Sequence, residues 1–137
     1  MPSALNSATR ANQEAGTTSD AFTSPLRQQF HPSSTKAWVY YDNNTAFSAS
    51  YNVSGNADNG PNNHTITWTI AFSSASYAAI ACPKADASDT AISAYSAQIS
   101  DSVFTTSTCQ IFTTNSNGNT SVSEPNQTFV AAWGAQA

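Results

Sequence analysis

Eight acidic residues and two histidines are all that this 137-residue chain offers for acid–base or metal chemistry. Asp86 and Asp89 are its nearest approach to a carboxylate pair. A glycoside hydrolase would set two such groups on facing walls of a cleft, one to protonate the leaving oxygen and one to act as nucleophile or base. Both aspartates follow Pro83 in an Ala- and Ser-rich stretch, which is the setting of solvated turn residues. Asp42, Asp58 and Asp101 stand beside Asn or Ser, where turn geometry selects them. His31 precedes a proline and His64 opens a predicted strand on its Thr-bearing face, with no cysteine near either, so they form no recognisable ligand set. GxSxG, HExxH, P-loop and dinucleotide fingerprints are all missing. The expectation is a protein with no catalytic residues, no cofactor and no metal. The enzymatic alternative is a polysaccharide-degrading activity built on Asp86 or Asp89 with a distant acid.

Binding of a neutral polar ligand suits the composition better. Ser, Thr and Asn are abundant, and five Asn-x-Ser/Thr triplets, at Asn43, Asn52, Asn63, Asn119 and Asn126, record the same richness. Amides and hydroxyls supply hydrogen bonds to a sugar, and an exposed aromatic ring supplies a flat apolar face. Tyr40, Tyr41, Tyr95, the stretch 55–63 with Asn59, and Asp86 are the candidate glycan contacts. Trp38, Trp68 and Trp133 lie within apolar alternation and are expected in the core or at a subunit interface. Cys82 and Cys109 fall in two predicted strands without a CxxC pattern, as buried free thiols or as a cross-strand disulfide.

Charge excludes other partners. The formal charge is -4, and the four basic residues, Arg10, Arg27, Lys36 and Lys84, are scattered singly. Nucleic acid would need them clustered. The longest apolar run, Tyr77 to Cys82, falls far short of the roughly 20 residues that span a bilayer, so no membrane insertion is expected. The amino end has neither the basic start nor the apolar block of a secretory signal.

The elements that must position these residues change character at His31. Residues 3 to 15 favour a weak helix through Ala, Gln, Glu and Arg, ended by Gly16. Residues 16 to 30 are poor in large apolar side chains, with Phe22, Leu26 and Phe30 as anchors of an extended arm. From Lys36 the period becomes two, as half-buried strands require. Strands are predicted over 36–42, 45–53, 64–72, 77–82 (ended by Pro83), 91–99, 104–113 and 128–134, with Asn59-Gly60 the strongest turn signal. The fold expected is all-β, a small antiparallel sandwich of about seven or eight strands, jelly-roll-like, over 31–137, with 1–30 as a helical or extended arm. Ala contributes 23 residues against 20 for Leu, Ile, Val and Phe together, so the core is thin. A thin core is marginal alone and is expected to be completed by identical subunits.

Two stretches resemble a known family. Residues 11–27, which include Gln13-Glu14-Ala15-Gly16-Thr17 and Thr23-Ser24-Pro25-Leu26-Arg27, resemble a segment recurrent in tailed-bacteriophage tail fibres. Residues 30–39, Phe-His-Pro-Ser-Ser-Thr-Lys-Ala-Trp-Val, look like the opening of a small β-domain common at fibre ends. Tyr51-Asn52-Val53-Ser54, Asp58-Asn59-Gly60, the strand 64–72, Ser76-Tyr77-Ala78 and the closing Phe129 to Gly134 follow in that domain's order, while residues 83–127 match it poorly. The resemblance implies a virion structural protein, made in the host cytoplasm and mounted on the tail or capsid surface. It implies a homotrimer, joined to other virion proteins through residues 1–30, with a display domain facing outward and host surface glycan as its target. The arm and trimer interface would then involve Leu5, Phe22, Leu26, Phe30 and Trp38. The alternative within the same class is a head fibre, capsid decoration or tail adaptor protein with no receptor role.

Overall fold

A computed structural model describes residues 9, 28, 31, 33–42, 46–84, 95–115 and 125–137. The expected arm anchors Leu5, Phe22, Leu26 and Phe30, together with Asp86 and Asp89, lie outside the described residues. Within them the chain is all-β. Its strands are β1 (Ala37–Asp42), β2 (Phe47–Tyr51), β3 (Val53–Asp58), β4 (Asn63–Trp68), β5 (Ala78–Lys84), β6 (Tyr95–Ser100), β7 (Thr108–Asn115) and β8 (Gln127–Trp133). They form two four-stranded antiparallel sheets, β2-β1-β8-β5 and β3-β4-β7-β6.

The two sheets make unequal contributions to the layer between them. The first sends in mostly small side chains, Ala37, Val39, Ala79, Ala81, Val130 and Ala132, with Tyr41 as its large one; the second sends in Ile66, Trp68, Cys109 and Ile111. Small opposite large is how facing layers reach native density, and it explains why so much alanine suffices for a closed core. At one end Trp68, Phe72, Tyr77 and Phe104 form an aromatic cluster. Tyr77 stacks on Phe72 at 4.0 Å between ring centroids and on Phe104 at 4.3 Å, and Trp68 meets Phe72 edge-on. Trp68 Nε1 donates to the Tyr77 hydroxyl (3.1 Å), which donates to the Thr108 carbonyl (2.9 Å), so the buried polar tips of both rings are satisfied. Gly134 passes close beneath: a Cβ there would stand 2.7 Å from Tyr77 Cβ, closer than real carbons approach.

Several predicted boundaries shift for identifiable reasons. The single strand expected over 45–53 is two strands in different sheets, because Asn52 adopts a left-handed backbone conformation (φ 56°) and turns the chain from one sheet to the other. Its side chain pins that corner, donating to the carbonyls of Lys36 (3.2 Å) and Ile70 (3.1 Å) and accepting from the Ile70 amide (2.6 Å). Asparagine tolerates this conformation better than most residues. The same bonds end β4 at Trp68, so Ile70, expected inside, is 51% exposed, and Phe72 reaches the core by a separate bridge to Gln136. The stretch 55–63, expected as a loop or a tight hairpin, is the tight hairpin: β3 and β4 pair across a turn at Asn59-Gly60-Pro61-Asn62, closed by Asn59 N to Asn63 O (2.9 Å). Pro83 does not end β5, which continues to Lys84; an edge strand tolerates a residue that lacks an N–H. The strand expected from Phe104 begins at Thr108. His64 lies on the inward side with Ile66 and Trp68, not on the Thr face, and its ring sits 5.0 Å from that of Tyr41.

The stretch where composition changes is tied down locally. The Lys36 ammonium is buried and donates to the His31 carbonyl (2.9 Å) and the Ser34 hydroxyl (2.6 Å), while the Lys36 amide donates to Ala132 O (2.9 Å). The chain therefore enters β1 from a fixed direction.

Candidate functional site

Strand alternation gives the sandwich two outer faces of opposite chemistry. On the first sheet, cross-strand pairing aligns two outward rows, Tyr51–Trp38–Ala131–Ile80 and Ala49–Tyr40–Phe129–Cys82, with Trp133 and Ala78 beyond them. None of these side chains is charged. Ile80 is 54% exposed, Tyr51 47% and Phe129 37%. Trp38, Ile80, Phe129, Ala131, Trp133 and Thr35 line a shallow depression of about 530 Å3. A third row, Asp42–Gln127–Lys84, closes the face at one end with polar groups: the Tyr40 hydroxyl bonds Gln127 Oε1, to which Lys84 Nζ also donates (3.1 Å). A contiguous exposed apolar surface of this kind marks an interaction site.

The outer face of the second sheet is built from hydroxyls and amides. Its outward side chains include Thr65 and Thr67 on β4, Thr108, Gln110 and Thr114 on β7, and Ser96, Gln98 and Ser100 on β6. They bond one another: Gln110 Nε2 donates to Asn63 Oδ1 (2.9 Å), Ser102 Oγ to Gln110 Oε1 (3.0 Å), Asn59 Nδ2 to Thr65 Oγ1 (2.8 Å), and the Ser96 and Thr114 hydroxyls lie 2.6 Å apart. One ring breaks this polarity. Phe112 is 37% exposed, with Asn63 and Gln98 as its cross-strand partners and Gln110 and Thr114 beside it along β7.

The candidate glycan contacts do not converge. Tyr41 is 1% exposed and belongs to the core, because it shares the inward phase of Ala37 and Val39; it cannot meet a ligand at the surface. Tyr95 is half-buried and shares the inward phase of Ala97 and Ile99. Asn59 is exposed at the turn joining β3 to β4, and its bond to Thr65 brings it to the rim of the polar face. Tyr40 lies on the apolar face. Trp38 points outward and is half-buried, as the alternation of β1 requires, whereas Trp68 is core. Sequence reasoning missed Phe112, Tyr51, Ile80 and Phe129. The available signal was phase: once Cys109 and Ile111 are inward, Phe112 must be outward, and once Val130 is inward, so must Phe129 be.

Acid–base and metal chemistry gain little from the geometry. Asp42 and Asp58 serve turns, accepting from the Ala46 amide (3.0 Å) and the Gly60 amide (2.8 Å). Among the described residues no group of three His, Cys, Asp or Glu side chains is arranged to hold a metal ion. Both cysteines are free thiols: Cys82 is exposed on the apolar face, and Cys109 is buried, which pushes its pKa up to about 12. No described helix is long and apolar enough to cross a membrane. Comparison with protein-family models, with curated proteins and with solved structures found no match.

Proposed function

We propose that this chain is a virion structural protein of a tailed bacteriophage, a tail-fibre or adhesin-like subunit that assembles as a homotrimer and binds host cell-surface glycan without chemistry. The observation that carries the reading is the opposition of the two outer faces. An uncharged apolar face suits burial in an assembly, and a hydroxyl- and amide-rich face with one exposed ring suits contact with a neutral sugar. Amides and hydroxyls match the donors and acceptors of sugar hydroxyls, and the Phe112 ring offers its flat side to the C–H face of a pyranose. The resemblance of residues 11–39 to tail-fibre segments supplies the virion context, with residues 1–30 as the attachment to other virion proteins.

Two measurements test it. An antibody against the full chain should decorate particles purified from the source phage, on the tail or on the capsid surface; particles that lack the protein overturn the virion assignment. Pre-incubating host cells with purified protein should reduce phage adsorption, and Phe112→Ala should weaken that block several-fold. Undiminished adsorption overturns the receptor role and leaves a decoration or adaptor protein.

A further inference from the structure

We infer that the turn between β3 and β4 is a site of self-modification, at which Asn59 of the folded chain loses its side-chain amide and becomes aspartate or isoaspartate. The inference is independent of what the polar face binds.

The groups that the reaction needs stand together in this turn. The backbone nitrogen of Gly60 has to attack Asn59 Cγ, a step that a side chain on the attacking residue would hinder. Gly60 has none, its φ is 116°, and a Cβ built there would meet nothing within 4 Å, so the approach is open. The attacking nitrogen must also give up its proton. Its N–H donates to Asp58 Oδ1 at 2.8 Å, which sets a carboxylate to take that proton in the peptide plane and leaves the face of the nitrogen free for Cγ. At the other end of the exchange, Asn59 Nδ2 donates to Thr65 Oγ1 (2.8 Å), a hydroxyl that can also supply a proton to the departing nitrogen.

The hairpin holds these groups in place. Asn59 N donates to Asn63 O (2.9 Å) and Asn63 N to Gly60 O (3.0 Å), so nucleophile, proton acceptor and leaving group are positioned by one rigid turn. Among the described residues no other asparagine precedes a glycine: Asn52 is followed by Val53, Asn56 by Ala57, Asn62 by Asn63 and Asn63 by His64. The bond from Gly60 N to Asn59 Cγ forms as the bond from Cγ to Nδ2 breaks. The proton lost by Gly60 is matched by the one that Nδ2 gains, and ammonia leaves. Water then opens the resulting succinimide, at Cγ to give aspartate or at the Asn59 backbone carbonyl to give isoaspartate. Either product puts a carboxylate where Asn59 donated to Thr65, so the rim of a face built from hydroxyls and amides acquires charge as the protein ages.

The test follows the amide by mass. Full-length protein held in mildly alkaline buffer should gain the amide-to-acid mass change in its tryptic fragment 37–84, and fragmentation should place it at Asn59 ahead of Asn52, Asn56, Asn62 and Asn63. Asn117-Gly118, the other Asn-Gly pair of the sequence, lies outside the described residues and is read separately in the fragment 85–137. Asp58→Ala removes the proton acceptor at an exposed position. Its far-UV circular dichroism should match the parent's, while conversion of Asn59 slows several-fold in the folded chain and is unchanged in chain unfolded in urea. Thr65→Val keeps the side-chain shape, removes the hydroxyl and should also slow conversion in the folded chain, which keeps the test decisive if Asp58→Ala fails to fold. Asn59 left intact in the folded chain over the interval in which urea-unfolded chain converts it overturns the inference. So does conversion at the parent rate in a folded variant.

Discussion

The two outer faces of this sandwich are made by the same backbone pattern and differ almost wholly in side-chain choice. On the first sheet the outward phase carries Trp38, Tyr40, Ile80 and Phe129; on the second it carries Thr65, Thr67, Gln98 and Gln110 with a single ring, Phe112. A domain that stood alone in water would have little reason to make one face apolar after spending small residues, Ala37, Ala79, Ala81 and Ala132, on its inside. Under the proposed assembly, the contrast means that part of the core of this protein lies outside its own chain. Burial would then be shared between a thin inner layer and the exposed apolar face, while the opposite face leaves its hydroxyls and amides at the surface.

The comparison can be broken most directly by swapping charge onto each face. Ile80→Glu with Phe129→Lys should remove two thirds of the assembled mass, and Phe112→Lys should remove none of it. Equal loss from both would mean that the faces are interchangeable. The next largest effect lies between the faces. Gly134→Ala drives a methyl into Tyr77 and should cost about 1–3 kcal/mol in urea unfolding, since overpacking forces backbone or rotamer shifts. An unchanged midpoint would mean that the aromatic end of the layer is loosely packed.

Alkaline pH probes the same inner layer. Burial pushes the Tyr77 hydroxyl up to about 12, against the donation from Trp68 that pulls it down, and burial pushes the Cys109 thiol up to about 12. The folded state therefore holds both protons more tightly than the unfolded chain, whose values are the ordinary 10.0 and 9.0. Stability from these groups is complete below pH 9 and is lost as pH rises toward 12, so the urea midpoint should be flat to about pH 9 and fall beyond it. A midpoint constant to pH 12 would place Tyr77 and Cys109 in water. The smallest effect expected is on stability at the polar face: Phe112→Ala should cost about 1 kcal/mol or less, because the ring is already partly hydrated, whereas under the proposed receptor role it should weaken the adsorption block several-fold.

Much of this architecture was legible in period-two alternation. The phases of β1 and β4 follow from Ala37/Val39/Tyr41 and Ile66/Trp68, and Asn59-Gly60 marks its turn. What alternation hides is a change of sheet. Phe47, Ala49, Tyr51 and Val53 continue one unbroken pattern, yet Asn52 turns the chain so that Tyr51 faces outward on one sheet and Val53 packs against the core from the other. That corner depends on bonds to Lys36 and Ile70, which are distant in sequence, so no local pattern could reveal it. Tyr41 was misread for the converse reason: a tyrosine in a strand is equally at home in a core and at a surface, and only its register with Val39 decides. The candidate site was less legible still, because Phe112 and Phe129 acquire their roles from which cross-strand neighbours stand beside them.

The most direct single measurement is the mass of the purified full-length chain in solution, by light scattering over a tenfold dilution series. A mass near three times the 14.4 kDa chain, held on dilution, is the predicted result. A stable monomer with the same fold would contradict the account, because the apolar face of β2-β1-β8-β5 would then be tolerated in water with nothing to cover it.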